Sequence, residues 1–347
     1  MVSGIFHSSY ASDMGLRRTP AQKIRLALFI LFLLVFPFFA SRYTLTLANQ
    51  VAIATIGAIG LNILVGYTGQ ISLGQGGFLA VGAYTAGLLT ARFGVHWMLS
   101  TLIGAFATAF VGAIFGLPSL RLKGLYLAIA TLASQEIILW VVTHWKAVTG
   151  GVEALVVPNP TLFGLVMNND FNFYWLVVPL AGLTALLTAN LFRTHYGRAF
   201  IAIRDQDIAA EVMGVDLFRY KLLAFAISSF FVGLAGALTA HYRSIVTWER
   251  FTIDVSVLYL AMIIIGGLGS VSGSFFGATF ITLLPTVLAN IGRALRGAFP
   301  QIGTLIPFIQ QGTFGLVIIL FLILEPEGLK KLWEDIKDYF RLWPFSY

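Results

Sequence analysis

Residues 193–221 read RTHYGRAFIAIRDQDIAAEVMGVDLFRYK. Arg193, Arg198, Arg204, Arg219 and Lys221 are basic, and Asp205, Asp207, Glu211 and Asp216 are acidic. Charge-free apolar runs flank the stretch, Phe173–Phe192 and Leu222–Ala240, each about as long as a helix that crosses a bilayer. A polar connection of this length cannot lie in lipid, so it faces water. The basic residues at the helix ends assign that water to the cytoplasm. Within it, Asp205 to Gly214 reads as a short amphipathic helix. Asp205 or Asp207 caps its start, Ile208, Val212 and Met213 share an apolar face, and Gly214 ends it. Such a helix offers a surface to a partner protein.

The whole chain fits that setting. Of 347 residues, 58% are hydrophobic and 11% charged, which excludes a soluble globular domain. Absence of cysteine removes disulfides, thiolate metal sites and thiol nucleophiles. The net charge of +7 belongs to loops, since no basic patch is interleaved with aromatics as nucleic-acid binding requires. Residues 1–24 read as a cytoplasmic tail. Arg17, Arg18, Lys23 and Arg25 precede the apolar run Leu26–Ala40, as in a signal peptide with a weak site at Ala40-Ser41. Because everything after it is also membranous, an uncleaved first span is the better reading.

The expected fold is an all-α polytopic membrane protein of about ten transmembrane helices with an internal two-half repeat. The spans are 25–41, 45–66, 70–91, 97–117, 125–145, 173–192, 222–241, 255–268, 275–291 and 304–324. Residues 25–324 form one permease domain, with 193–221 as its cytoplasmic coupling loop. With both termini inside, fifteen Lys and Arg fall on cytoplasmic segments and seven on the opposite face, the bias that topology requires. The piece 255–268 is short, and the Gly/Ser turn after it reads equally as re-entrant. The longest outer loop, 146–172, carries Thr149-Gly150-Gly151, Pro158 and Pro160. Beyond Glu325-Pro326, residues 325–347 form an interfacial helix, with Leu329, Leu332, Trp333, Ile336 and Phe340 on one face.

Two glycine-rich stretches interrupt the spans. GYTGQISLGQGGF covers Gly66–Phe78, and GGLGSVSGS covers Gly266–Ser274. Both lead into phenylalanine and a further glycine-containing span, which hints at duplication. Glycine at such places serves close helix packing, or lets a helix break and present polar backbone to a path. Amide side chains are unnecessary for packing alone, so Gln70, Ser72, Gly74 and Gln75, with Gly267, Gly269 and Ser270, are candidates for a solute path. Glu136 is the acid at mid-depth of a span. It reads either as a path or proton-relay residue, or as a buried structural acid. No P-loop, metal-binding His spacing or nucleophile elbow is present, so no catalytic residue, metal or cofactor is expected.

Four stretches resemble one family: Leu61–Tyr84, Pro118–Ile137, Val148–Gly151 and Gly197–Leu238. They are similar to the permease of high-affinity branched-chain amino-acid ABC importers, in the larger of its two related types, over about Asn49–Leu329. The resemblance implies that Arg204, Asp205, Ala209, Ala210, Glu211 and Gly214 belong to the segment that docks into an ATPase. In this chain Glu211 follows the two alanines. The implied partners are a second related permease, two cytoplasmic ATP-binding subunits, a periplasmic solute-binding protein and membrane lipid. The implied location is the bacterial inner membrane, and the solute a branched-chain amino acid moved by ATP hydrolysis on the partners. Urea, short amides and aromatic amino acids are solutes of similar permeases. A proton-coupled carrier using Glu136 and a non-transporting membrane scaffold are the readings from other classes.

Overall fold

The computed structural model describes residues 20–162, 165–295, 302–325 and 327–342. The chain divides into a short N-terminal unit, Met1–Thr46, and a main body, Leu47–Tyr347. In the first, α1 spans Pro20–Phe39; proline at a first helical position loses no hydrogen bond. Most of the expected tail lies outside the described residues, and Lys23 and Arg25 stand on the helix.

Arg42–Thr68 forms α2, which begins in that unit and continues as the core of the main body. Ala52 to Val65 is buried throughout, the mark of a helix that is apolar all round and has neighbours on every side. It meets α3 (Gln75–Phe93) at Gln75, α7 (Asp170–Leu191) through Asn49 and α9 (Leu217–Arg243) at Gly60, while α4 (Trp97–Gly116) and α5 (Leu125–His144) pack against α3. The helices α3, α4 and α9 make close backbone contact. A Cβ on Gly82 would overlap the backbone of Gly233, and one on Gly104 would lie 2.9 Å from the Gly82 carbonyl. Small residues let the helices approach to that distance. Next come α10 (Ile253–Gly266) and α11 (Val271–Leu295), then α12 (Ile302–Leu324) and α13 (Gly328–Leu342).

Ten helices therefore stand where ten spans are expected. Six of the described helices are long and apolar enough to cross a membrane by length and composition: α2, α4, α5, α7, α9 and α11. At about 1.5 Å per residue, the 14 residues of α10 reach some 21 Å, short of the ~30 Å of a hydrocarbon core. The expected span 70–91 begins later, at Gln75, because residues 69–74 are not helical.

At the far end of α3, loop 146–169 is tied down. It holds the one-turn helix α6 (Lys146–Thr149) and the two-residue strands β1 (Leu155–Val156), β2 (Thr161–Leu162) and β3 (Leu165–Val166). Strand β1 pairs antiparallel with β4 (Ile245–Val246), which follows α9. Arg92 Nη1 donates to the Ala147 carbonyl at 2.8 Å, and Trp97 Nε1 to that of Thr161 at 2.7 Å. The terminal helix α13 lays Leu329, Leu332 and Trp333 along α11, with the Phe276 and Trp333 rings 6.5 Å apart. Pro326 lies outside the described residues.

Candidate functional site

The first break follows Thr68. Gly69 adopts φ 68°, a conformation that costs other residues steric strain, and the chain runs without helix to Gln75. Each backbone group so released needs a partner. The Gln70 amide donates to the Leu64 carbonyl at 3.1 Å, and the Leu73 amide to Thr131 Oγ1 at 2.9 Å. Ser72 Oγ accepts from the Gly74 amide at 3.3 Å, and Gln75 Nε2 donates to the Gly57 carbonyl at 3.1 Å. The Gly76 amide reaches Ser256 Oγ at 2.7 Å, and that hydroxyl donates to Gln135 Oε1 at 2.5 Å. Gln70, Ser72 and Gln75 are buried. Ser72 and Gln75 thus serve the chain's own backbone and Gln70 Nε2 the Thr68 hydroxyl at 3.1 Å, while the buried Gln70 Oε1 has no partner among the described residues and Ile71 between them is exposed.

The second break joins α10 to α11 through Gly267 (φ 118°) and Gly269 (φ 69°). Ser270 starts the next helix, its Oγ accepting from the Gly273 amide at 3.1 Å and its carbonyl from the Ser274 amide at 3.1 Å. Asn62 of α2 crosses to it. Its Oδ1 accepts from the Gly269 amide at 2.9 Å, while Nδ2 donates to the Ser270 carbonyl at 2.9 Å and Ser274 Oγ at 2.8 Å. One turn later, a Cβ on Gly66 would overlap both Asn62 Oδ1 and the Gly269 amide. The second break therefore touches the last turn of α2, just before the first break. On its other side, Gly267 lies against the Glu327 carbonyl and Lys330 of α13.

The 193–221 loop is more helical than its polarity suggests: α8 spans His195–Val212, interrupted at Gln206 (φ −161°, ψ 99°). Before that kink, Phe200 and Ile203 are buried. Phe200 packs edge-on to Phe192 and Tyr220, and Phe192 stacks on Tyr67 with centroids 3.4 Å apart. After it, Ala210 points inward, while Ile208, Val212 and Met213 are 63%, 82% and 84% exposed. Gly214 (φ 89°) closes the helix, and the Val215 amide returns to the Ala210 carbonyl at 3.0 Å. Ala209 and Glu211 are exposed beside the apolar trio. Asp207 anchors the segment, 2.5 Å from Lys123 Nζ and 3.6 Å from Lys221 Nζ. The Lys123 hydrogen bond holds its carboxyl below the usual carboxylate value.

Arg204 faces the other way. Its Nη1 donates to the Gly66 carbonyl at 3.2 Å, its Cγ lies 3.2 Å from the Cβ position of Gly69, and Nη1 lies 3.1 Å from that of Gly269. Asp205 closes the outer side of the guanidinium at 2.9 Å. The residues expected on a path and those expected at a docking segment thus meet at Arg204. Glu136 stands apart from them. It is exposed on α5, on the face that carries Tyr126, Ile129, Ile137 and Trp140, all exposed. Asn62, Gln135 and Ser256 escape sequence reasoning; the signal for Asn62 is an amide one helical turn before a glycine in an otherwise apolar run. Among the described residues no group of three His, Asp or Glu could hold a metal ion.

Residues 43–324 match the family model described as the permease component of the branched-chain amino acid transport system. The chain belongs to this family. It is therefore a transport component of the membrane rather than an enzyme. The chain is 34% identical to the high-affinity branched-chain amino acid transport system permease protein LivM of Escherichia coli (strain K12), over 90% of this chain and 75% of that protein. It is 28% identical to the probable branched-chain amino acid transport permease protein LivH of Methanocaldococcus jannaschii, over 81% of this chain and 89% of the relative. The fructose import permease protein FrcC of Rhizobium meliloti is 28% identical, over 76% and 74%. No solved structure matches the chain.

Proposed function

We propose that this permease is the membrane-spanning subunit of an ABC importer that moves branched-chain amino acids across the bacterial inner membrane. The observation that carries the mechanism is the contrast within α8. Its first part is buried in the bundle, while Ile208, Val212 and Met213 beyond the kink stand exposed, as a docking knob for a partner requires. The partners are two cytoplasmic ATP-binding subunits, a second related permease and a periplasmic solute-binding protein. Both termini are cytoplasmic, and the ten helices of the expected spans are crossings or parts of crossings, α10 with its break being a short one. Ala209, Ala210, Glu211 and Gly214 belong to the docking surface.

Solute passes between the two permeases, because the polar groups at the first break are buried within this chain. The exposed face of α5 is the surface turned to that path. An acid facing lipid at mid-depth is costly, by about 2.5–3.5 kcal/mol on insertion scales, so Glu136 faces protein or water. The two breaks, with Gly74, Gly267 and Ser270, support the path from behind. The solute class follows the relative with 34% identity, and ribose serves as the control because sugar permeases are also similar.

Reconstitution of the permease pair with its ATP-binding and solute-binding subunits tests the reading. Leucine, isoleucine or valine stimulates ATP hydrolysis and accumulates in the vesicles; ribose does neither. Glu136→Gln keeps shape and most hydrogen-bonding capacity, and uptake stays within a few-fold of the parent. Accumulation driven by a proton gradient without any ATP-binding subunit, and abolished by Glu136→Gln, overturns the assignment in favour of a proton-coupled carrier.

A further inference from the structure

We infer that Arg204 and Asn62 are positioning residues for transport: together they link the α8 docking segment to both glycine breaks. The inference rests on the docking segment proposed above.

The chemistry begins at the end of α2. The last carbonyls of a helix have no intrahelical partner, and the helix dipole makes that end negative. Here the Leu64 carbonyl takes the Gln70 amide, so Gly66, whose usual partner would be that amide, keeps a carbonyl in need of a donor. Arg204 supplies it at 3.2 Å. The guanidinium is a fixed charge with donors pointing in several directions. Asp205 occupies its Nε and Nη2 side, which leaves Nη1 for the break. The same atom passes beside Gly269, where an added Cβ would meet it at 3.1 Å.

Asn62 completes the link from the opposite side. Every polar function of its amide that the geometry engages goes to the second break, and the residue is buried. Gly66 lies between Asn62 and Arg204, close enough that no side chain fits. A displacement of α8 therefore passes through Arg204 to the end of α2, and through Asn62 to the start of α11. No step requires a change in the helices themselves. The last turn of α2, held by Arg204 on one side and joined to the second break through Asn62 on the other, thus ties the two breaks to the docking segment.

The test uses the assembled importer and the isolated permease. Arg204→Met keeps the length of the stem and removes the donors; Arg204→Lys restores one donor. Asn62→Asp keeps the acceptor for the Gly269 amide and loses both donated bonds. In the importer, Arg204→Met and Asn62→Asp retain the ATP-binding subunits on co-purification, but solute moved per ATP falls by about 5–150-fold, with Arg204→Lys in between. A general packing defect would lower hydrolysis and uptake together and leave that ratio unchanged, which counts against the inference. In the isolated permease, spin labels at Ile71→Cys and Leu268→Cys, both exposed in the parent, report the separation of the breaks. That distance distribution is narrow in the parent and broadens in Arg204→Met and Asn62→Asp. Unchanged distributions overturn the inference, whatever the importer does. Broadened distributions in a permease whose importer fails to use ATP sustain the link between the breaks and overturn the proposed function instead.

Discussion

The two glycine breaks solve the same problem in opposite ways. Residues 69–74 draw their partners from near at hand, through Thr68, Ser72 and Leu64, with Thr131 as outside help for Leu73, and leave the buried Gln70 Oε1 without a partner among the described residues. Residues 267–270 borrow from afar: Asn62, about 207 positions earlier in the chain, supplies both an acceptor and donors, and α13 closes the other side. A self-sufficient break tolerates loss of one side chain. A borrowed one fails when its lender is changed.

The largest effect is expected where the end of α2 meets the second break. Gly66→Val would push a branched side chain into Asn62 and the Gly269 amide, disturbing both at once, and overpacking of that kind costs about 1–3 kcal/mol or more. Thermal unfolding in detergent should fall further for this variant than for any other single change discussed, and a parent-like melting point would show that α2 and the second break can part freely. Next comes the comparison itself. Asn62→Leu leaves the Gly269 amide without its partner, at about 1–3 kcal/mol for a buried group left unpaired, while the Ser270 carbonyl keeps the Ser274 amide. Gln70→Leu removes one bond, to Thr68 Oγ1, and costs about 0.5–1.5 kcal/mol. Equal losses in the two variants would erase the distinction between a borrowed and a self-sufficient break.

The smallest effect concerns the anchor of α8. Asp207 has its carboxyl depressed by Lys123, with Lys221 adding to it. A depressed acid contributes stability that is complete above its unfolded value, near 3.8, and is lost as pH falls through the lower folded value. Between pH 7 and 5 the parent should therefore exceed Asp207→Asn in melting temperature by a small constant margin. Below about pH 4 the margin should shrink, and a margin that grows in acid would mean that the carboxylate opposes folding.

Helix positions were legible because apolar runs of bilayer length carry their own signal, and loop 193–221 because its charges sit between two of them. Hydropathy misplaced the start of α3 for a physical reason. Ile71 and Leu73 keep the run apolar, yet their backbone is not helical, and the Leu73 amide bonds to Thr131 instead of to a preceding turn. The first half of α8 was hidden in the same way, since only Phe200 and Ile203 mark its buried face amid polar neighbours. Glycine spacing located both breaks and led to their amides as path residues. It could not reveal that Gln70 and Gln75 point into this chain's own interior, because the direction of a side chain in a break depends on what else needs its hydrogen bonds. Arg204 was legible as part of a docking segment but not as a residue bound to the end of α2, since its partner is a backbone carbonyl, and a carbonyl is the same in every sequence.

The pairing of β1 with β4 has a mechanical consequence. Leu155 and Val156 are zipped to Val246 and Ile245, the Val157 amide continues the seam to the Ser244 carbonyl at 2.9 Å, and Ser244 Oγ reaches Asn159 at 2.6 Å. This seam fastens the far end of α9 to the loop beyond α5, while the near end of α9 follows directly from the docking segment. The helix is thus held twice, at its middle where Gly233 and Gly236 lie against α3 and at its far tip by the seam, so a displacement at Leu217 fades toward Arg243.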